Sequence, residues 1–174
     1  DFLGSFLRGA GVASVVDVGC GHWPSGYQRS LDWAGVAYTG VEVVPQVARD
    51  CRQYFAKASR LAAHGLRSAR FEERDACGWL PAADLLLVKD VLMHWPNAAI
   101  HSFLRSHVRR DGSRYRFIML VQNESPLPGV RASIDIESGQ LLPFDVRGEP
   151  FEAPFESVFA WESDQMKTVQ LWRA

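Results

Sequence analysis

Short apolar runs rich in β-branched residues alternate along this chain with segments whose apolar residues recur at helical spacing. The first pattern is typical of buried strands and the second of amphipathic helices. The strongest strand pattern is Ser14–Val18, which follows a helical pattern at residues 2–8 that stops at the glycines within residues 9–11. The other predicted strands are residues 37–43, 69–74, 84–89, 115–122, 155–161 and 167–172. Two further helices are predicted, one from Pro45 to beyond Tyr54 and one capped by Asn97 that ends at about Val108.

Strands that alternate with helices favour a parallel sheet with right-handed crossovers. The last two predicted strands are adjacent in sequence and are expected to pair antiparallel. We therefore predict a doubly wound α/β fold with a seven-stranded mixed sheet, a C-terminal antiparallel hairpin and helices on both faces. The whole chain, residues 1–174, is expected to form one domain.

Residues 123–154 break this pattern, because they hold most of the nine prolines and only a short apolar patch at Leu141 and Leu142. Loops of this length without regular structure are commonly lids or binding loops. A proline-stiffened cover over one sheet edge is the alternative interpretation. Both remain open at this point.

Composition and charge exclude several classes of protein. The chain is 47% hydrophobic and 22% charged with a net charge of −1, so it exerts no overall attraction on nucleic acids or anionic membranes. Its three cysteines, Cys20, Cys51 and Cys77, form no CxxC pair, which favours reduced thiols over disulfides or zinc. No apolar run could cross a bilayer and no signal peptide is recognisable, so we predict a cytoplasmic protein. The chain begins within a helical pattern, which suggests an upstream segment in the full-length protein.

The first chemical candidate is the glycine turn at Asp17, Gly19, Cys20 and Gly21, directly after the first strand. Glycines there let the backbone turn sharply and approach a ligand, although a glycine-rich turn without a ligand has the same pattern. A nicotinamide site would require GxGxxG, and Trp23-Pro24 follows where that glycine spacing should continue. The dinucleotide interpretation is disfavoured accordingly.

Two acids follow at the ends of the next strands. Glu42 ends the second strand, where a carboxylate can accept hydrogen bonds from both hydroxyls of a ribose. Asp75 follows the third strand, where its carboxylate could accept from an adenine amino group while the next N–H meets a ring nitrogen. The alternatives are a solvated acid at Glu42 and a helix N-cap at Asp75 for residues 76–80.

The ordered set of motifs resembles the class I S-adenosylmethionine-dependent methyltransferase family, and a small bacterial subgroup of it. The resemblance covers nearly the whole chain and implies a Rossmann-like fold, with S-adenosyl-L-methionine bound across the carboxyl ends of the first and fourth strands. The cofactor-binding residues that it implies are Asp17, Gly19, Cys20, Gly21, Trp23, Glu42, Val43, Asp75, Ala76, Lys89 and Asp90. Two departures stand out. Trp23 occupies the position of the usual third glycine, so it is expected to wall the methionine side of the pocket, and the usual helix between the fifth and sixth strands is not visible.

The end of the fourth strand supplies the catalytic candidates, Asp90 and His94. Methyl transfer mainly requires alignment of donor and acceptor, and a hydroxyl or protonated amine acceptor also requires a base. Histidine is a common base in enzymes, so His94 is the candidate for that role, and Asp90 could orient it, bind the cofactor's amino group or hold a metal. The alternatives are a helix-starting acid and a surface histidine. No second carboxylate follows at a usable spacing, so no metal is expected.

The expected function is transfer of a methyl group from S-adenosylmethionine to an oxygen or nitrogen of a small-molecule acceptor. A catalytically silent cofactor-binding module and a protein or nucleic-acid methyltransferase are the alternatives. The basic stretch at residues 105–116 is typical of a solvated helix end, and nucleic acid is not expected as a partner. The fourth-strand sequence Lys89-Asp-Val-Leu differs from Asn/Asp-Pro-Pro-aromatic, the motif of methyltransferases that act on the amino groups of nucleic-acid bases.

Overall fold

The computed structural model describes residues 2–33, 35–123, 134–162 and 165–174. The helices are α1 (Phe2–Gly9), α2 (Pro45–Phe55), α3 (Ala58–Ala63) and α4 (Asn97–His107). The strands are β1 (Ser14–Val18), β2 (Ala37–Glu42), β3 (Ser68–Glu73), β4 (Ala83–Lys89), β5 (Tyr115–Asn123), β6 (Glu156–Glu162) and β7 (Met166–Arg173). Short 3₁₀ helices cover Tyr27–Ser30 and Leu92–His94. Among the described residues, no helix is long and apolar enough to cross a membrane.

The seven strands form one sheet in the order β3-β2-β1-β4-β5-β7-β6. Strand β2 pairs in parallel with both β1 and β3, whereas β7 pairs antiparallel with both β5 and β6. The predicted mixed α/β sheet with a closing antiparallel hairpin is therefore confirmed. The chain divides into two compact units, Asp1–Leu86 and Leu87–Ala174, which are described in turn.

The first unit is built on the parallel strands β1 to β3. Four of the five residues of β1 are buried, as its apolar sequence predicts. Its first residue is tied down by Asp84, whose Oδ2 accepts hydrogen bonds from the Ser14 N–H at 3.1 Å and the Ser14 hydroxyl at 3.2 Å. At the centre of β2, a Cβ on Gly40 would lie 2.6 Å from Cys20 Sγ and 2.8 Å from a Phe71 ring carbon. Only glycine fits there, because the loop after β1 and the β3 side chain both press against the backbone.

The second unit is built on the antiparallel strands around β7. The last six residues of β5 are buried, and β7 is buried over most of its length, whereas β6 is mostly exposed. Part of the proline-rich stretch packs into this unit: Phe144, Asp145 and Val146 are buried. Asp145 accepts hydrogen bonds from Arg147 at 2.6 Å and from Gln170 at 2.8 Å. This part of residues 123–154 is thus packed into the second unit, whereas residues 124–133 of the predicted lid lie outside the described residues.

Helix α4 begins differently from the prediction. Asn97 was expected to be its N-cap, but Pro96 holds that position and Asn97 is the first helical residue. The Asn97 N–H donates instead to the Asp135 carboxylate at 2.8 Å. A carboxylate from a distant segment therefore caps the helix, which the local sequence does not reveal.

Two further segments of the first unit differ from the prediction. Residues 76–80 form a turn rather than a helix. After α2, the chain continues into the separate short helix α3. Helix α3 has no buried residue, so no apolar face marked it in the sequence.

Candidate functional site

The glycine turn follows β1 as predicted. Gly19 and Gly21 have φ values of 62° and 63°, a left-handed conformation that other residues adopt only with strain. The N–H groups of Gly19 and Cys20 donate to the Val41 carbonyl at 2.8 and 3.2 Å, which holds the turn against β2. Apart from Gly21 itself and its two chain neighbours, no heavy atom of the described residues lies within 4 Å of the position that a Cβ on Gly21 would take. The turn therefore has open space on the side toward which a side chain would project.

Glu42 joins this turn to the loop that follows β2. Its Oε2 accepts the Gly21 N–H at 3.0 Å, and its Oε1 accepts the Val44 N–H at 3.0 Å. The residue is only 8% exposed, so these bonds partly replace the solvation that the carboxylate loses on burial. Each carboxylate oxygen can accept a further hydrogen bond. Glu42 is thus a structural clamp that retains the capacity to accept from a ligand.

Asp17 lies beneath the turn and is only 1% exposed. Its Oδ2 accepts a hydrogen bond of 2.6 Å from the Tyr38 hydroxyl. Burial and the charge of Asp17 raise the pKa of Tyr38, so the phenol stays protonated and continues to donate. The side chain of Asp17 therefore supports the turn from within the core, and the structure gives no exposed surface for the ligand contact that the resemblance implied.

Two buried thiols flank the carbonyl of Gly21. Cys51 Sγ accepts the Trp23 N–H at 3.3 Å and lies 3.5 Å from the Gly21 carbonyl oxygen, as an S–H donor would. Cys20 Sγ lies 3.7 Å from the same oxygen. Burial raises the pKa of both cysteines, so both are protonated near neutral pH. Cys20 therefore contributes its backbone to the turn and its thiol to the core.

Trp23 corrects the prediction that it walls the cofactor pocket. Its side chain is 0% exposed. The ring packs edge-on against Phe55 and His64, with centroid distances of 4.8 and 4.7 Å. The indole N–H has no hydrogen-bond partner among the described residues. The large apolar area of the indole is buried behind the turn, in an aromatic core that also contains Trp33, Tyr38 and Tyr54.

The remaining candidates of the first unit lie in the loops after β2 and β3. Val43 is 65% exposed, an unusual position for a valine and one available to a ligand. Asp75 is exposed, and its Oδ1 accepts the Cys77 N–H at 2.8 Å, so it closes a turn rather than capping a helix. Ala76 is buried, which leaves only its backbone as a candidate for ligand contact.

In the second unit, Lys89 ends β4 and Asp90 directly follows it, and the two side chains form an ion pair. Asp90 also accepts a hydrogen bond of 2.9 Å from Lys167, whose ammonium donates in addition to Asn123 at 2.7 Å. Asp90 has φ 56°, which is strained for a residue other than glycine. Burial tends to raise the pKa of Asp90, but the hydrogen bonds from the two lysines outweigh it and lower the pKa below its usual value. The carboxylate is therefore held in its charged form.

His94 is not oriented by Asp90, which corrects one of the roles predicted for that acid. In the described part of the chain, no hydrogen bond joins the two side chains, because Asp90 is engaged by lysines. Instead, His94 Nδ1 lies 3.0 Å from the backbone carbonyl oxygen of Gln140. Lys167, Asn123 and Gln140 were all missed by the sequence analysis, since only the pairing of β5 with β7 and the path of the long loop bring them to these positions.

In the basic stretch at residues 105–116, the arginines are exposed and His107 is buried. His107 is only 6% exposed and packs on Phe103 and Tyr115 at centroid distances of 4.7 and 5.7 Å. Burial, assisted by the charge of Arg114, lowers the pKa of His107 to about 4. At neutral pH this histidine is an uncharged core residue.

The described residues contain no group of three or more His, Cys, Asp or Glu side chains that could hold a metal ion.

Comparison with known proteins gives structural matches only. No family model and no curated protein matches the sequence. The mitomycin 7-O-methyltransferase MmcR superposes with a TM-score of 0.64 and 18% identity over 94% of this chain, which spans half of that enzyme's length. Magnesium protoporphyrin IX methyltransferase from Synechocystis PCC 6803, crystallised with SAH, superposes with a TM-score of 0.63 and 17% identity over 98% of this chain and 79% of that enzyme. The methyltransferase domain of bacterial CtHen1 superposes with a TM-score of 0.62 and 13% identity over 99% of this chain and 96% of that domain.

These matches span nearly the whole chain, whereas their sequence identities are too low to carry residue roles or substrates from one protein to another. They agree with the strand order and the reversed final strand described above. The chain therefore has the fold of the class I S-adenosylmethionine-dependent methyltransferases.

Proposed function

We propose that this protein transfers a methyl group from S-adenosylmethionine to an oxygen or nitrogen of a small molecule. The observation that carries the proposal is the joining of Gly21 to Glu42 by a hydrogen bond of 3.0 Å, beside open space at Gly21. This arrangement places a buried acid beside a glycine turn that leaves room for a ligand. The protein of the same fold crystallised with SAH supports the choice of ligand.

The residues of the first unit fit such a cofactor. A Cβ on Gly21 would enter open space that a bound ligand could occupy. Each Glu42 oxygen already accepts one backbone N–H and retains a lone pair for a ribose hydroxyl. The exposed Val43 supplies apolar surface next to this acid, and the exposed Asp75 supplies an acceptor for an amino group. In this proposal Gly19 and Cys20 contribute backbone, while Asp17 and Trp23 support the turn from below.

The bound cofactor would supply an electrophilic methyl group on a sulfonium. The chain's own work is to hold the two reactants in line, which alone can remove several kcal/mol from the barrier. An acceptor that carries a proton also has to lose it. His94 is our candidate for the base that accepts this proton. Lys89 and Asp90, which form an ion pair with each other, remain predicted cofactor contacts.

Incubation with S-adenosylmethionine carrying a trideuterated methyl group tests the proposal. Separate panels of phenols, alcohols and amines would be read by mass spectrometry. Labelled product should form with members of these panels and fall roughly 10- to 150-fold at subsaturating cofactor in Glu42→Ala, the loss expected for one or two hydrogen bonds to a charged group. With a hydroxyl acceptor, His94→Ala should lower turnover by roughly 100- to 10,000-fold while cofactor affinity is unchanged. His101→Gln, on α4, is the matched histidine control.

Three other results would contradict the proposal. Cofactor binding without label transfer to any panel would indicate a catalytically silent binding module. Label found only in protein or nucleic acid would indicate a macromolecular acceptor. Full turnover of a hydroxyl acceptor by His94→Ala would remove His94 as the base.

A further inference from the structure

The turn that carries His94 is held by the long segment that follows β5. The Gly139 N–H donates to the His94 carbonyl at 2.9 Å, and the Leu142 N–H donates to the Met93 carbonyl at 3.0 Å. The third contact is that of His94 Nδ1 with the Gln140 carbonyl, at 3.0 Å. The segment therefore fixes both the backbone and the ring of His94.

The contact with Gln140 determines which ring nitrogen carries the proton. A carbonyl oxygen can only accept a hydrogen bond, so Nδ1 must be the donor. In a neutral imidazole the other nitrogen, Nε2, then holds the lone pair. No hydrogen bond among the described residues involves Nε2 of His94. The histidine thus presents Nε2 as a proton acceptor.

Two polar side chains fix the segment that carries this carbonyl. Gln140 Oε1 accepts the Glu137 N–H at 2.9 Å, and the Gln140 N–H donates to the Glu137 carbonyl at 3.1 Å, which closes a tight turn. At the start of the segment, Asp135 Oδ1 accepts the N–H groups of Ile136 at 3.0 Å and Asn97 at 2.8 Å. Asp135 therefore anchors the segment to the first residue of α4, three positions after His94.

We propose that Gln140 and Asp135 are positioning residues for a histidine base, which they hold in the Nδ1–H tautomer. The proposal rests on the proposed function and narrows its acceptor to a hydroxyl or a protonated amine. For a hydroxyl, the acceptor oxygen forms its bond to the methyl carbon as the sulfur–methyl bond breaks, and the sulfur leaves as a neutral thioether. The hydroxyl proton passes to Nε2 of His94, and the imidazolium then loses a proton to solvent.

Nitrogen-15 spectra of protein labelled in its five histidines would read the tautomer directly, without any substrate. His94→Gln identifies the signal, and the spectrum is recorded above pH 7.5, where an ordinary histidine is neutral. We expect a protonated Nδ1 and a pyridine-like Nε2, the reverse of the tautomer that predominates in free histidine. An Nε2–H signal for His94 in the folded protein would overturn the proposal.

Side-chain variants separate positioning from general stability. Gln140→Ala removes the acceptor for the Glu137 N–H and should shift His94 toward the Nε2–H tautomer. Gln140→Glu replaces the amide oxygen by a carboxylate oxygen that can accept the same N–H, so it should preserve the Nδ1–H tautomer. Asp135→Ala and Asp135→Asn form the same pair at the other anchor. Gln53→Ala, on the exposed face of α2, is the control and should leave the spectrum unchanged. An unchanged His94 tautomer in folded Gln140→Ala and Asp135→Ala would contradict the roles of the two side chains.

Kinetics with an accepted hydroxyl substrate complete the test. Gln140→Ala should lower kcat by about 10-fold, a fraction of the full contribution of a positioned base, with little change in KM. Gln140→Glu should recover most of the rate. The two proposals can be contradicted independently. An Nε2–H signal for His94 would contradict the positioning proposal, whatever turnover is measured. An Nδ1–H signal with full turnover by His94→Ala would instead defeat the base role of the proposed function.

Discussion

The Gly21 N–H donates a hydrogen bond of 3.0 Å to Glu42 Oε2, and this bond joins the turn after β1 to the end of β2. The two residues are 21 positions apart in sequence. They are brought together because β1 and β2 are adjacent parallel strands whose carboxyl ends lie at the same edge of the sheet. A ligand that contacts the turn is therefore within reach of the acid.

The first prediction concerns the open space at Gly21. Gly21→Ala should weaken binding of S-adenosylhomocysteine at least tenfold, because a methyl group would project into that space. Gly11→Ala is the matched control, since Gly11 has a similar φ of 60° and also lies next to open space. Both substitutions should cost about 1–2 kcal/mol of stability through backbone strain. Calorimetric titration should show weaker binding for Gly21→Ala alone, and equal affinities for the two variants would contradict the account.

The second prediction concerns Glu42. Glu42→Ala and Glu42→Gln should both weaken S-adenosylhomocysteine binding by about 1.5–3 kcal/mol, the usual contribution of hydrogen bonds to a charged group. The amide of glutamine cannot replace the carboxylate, because its NH₂ would face one of the two backbone N–H donors. Glu73 is an exposed acid that lies opposite Glu42 on the neighbouring strand β3. Glu73→Ala is therefore the control for loss of a negative charge. An unchanged dissociation constant for Glu42→Ala would make Glu42 a purely structural residue.

The third prediction concerns the buried pair beneath the turn. Tyr38→Phe removes the 2.6 Å hydrogen bond to Asp17 and leaves a buried carboxylate with weaker partners. The free energy of unfolding should fall by about 1–3 kcal/mol. Tyr27→Phe is the comparison, because its hydroxyl lies 3.5 Å from the same oxygen and should matter less. Urea unfolding that ranks the two variants in the opposite order would refute the role given to Tyr38.

The alternation of apolar runs with helical patterns predicted all seven strands to within about two residues at either end, including β6, which is mostly exposed. It did not predict α3, which has no buried face, or the cap of α4, which comes from Asp135. For the cap of α4 the information is tertiary, because a carboxylate from a distant segment replaces a local signal.

The candidate site likewise contains some residues that the sequence predicts and others that only tertiary contacts place. The glycine turn and Glu42 were predicted from spacing, since a turn and a strand end are local features. The family resemblance also implied that Trp23 lines the ligand pocket, whereas the indole is buried in an aromatic core. Asp90 was expected beside His94, and the sequence contained no signal that Lys167 of β7 would pair with Asp90. Antiparallel pairing with β5 brings that lysine into place.

The fourth prediction concerns the acid limb of stability. The pKa of His107 is about 4 in the folded protein and about 6.5 when exposed, so the unfolded state binds the extra proton first. Stability that is fully present above pH 6.5 should be lost as the pH falls toward 4, by up to about 3 kcal/mol. His107→Phe should flatten this loss, and His22→Gln, an exposed histidine, should not. Urea unfolding between pH 7 and pH 4.5 with identical slopes for wild type and His107→Phe would contradict the assignment.

The central claim is that the glycine turn and Glu42 form a site for S-adenosylmethionine rather than for a dinucleotide. Isothermal titration of the unmodified protein with S-adenosylhomocysteine and with NAD tests this claim most directly. The account predicts saturable one-to-one binding of S-adenosylhomocysteine and no measurable binding of NAD. Binding of NAD in its place, or no heat of binding with either ligand, would contradict it.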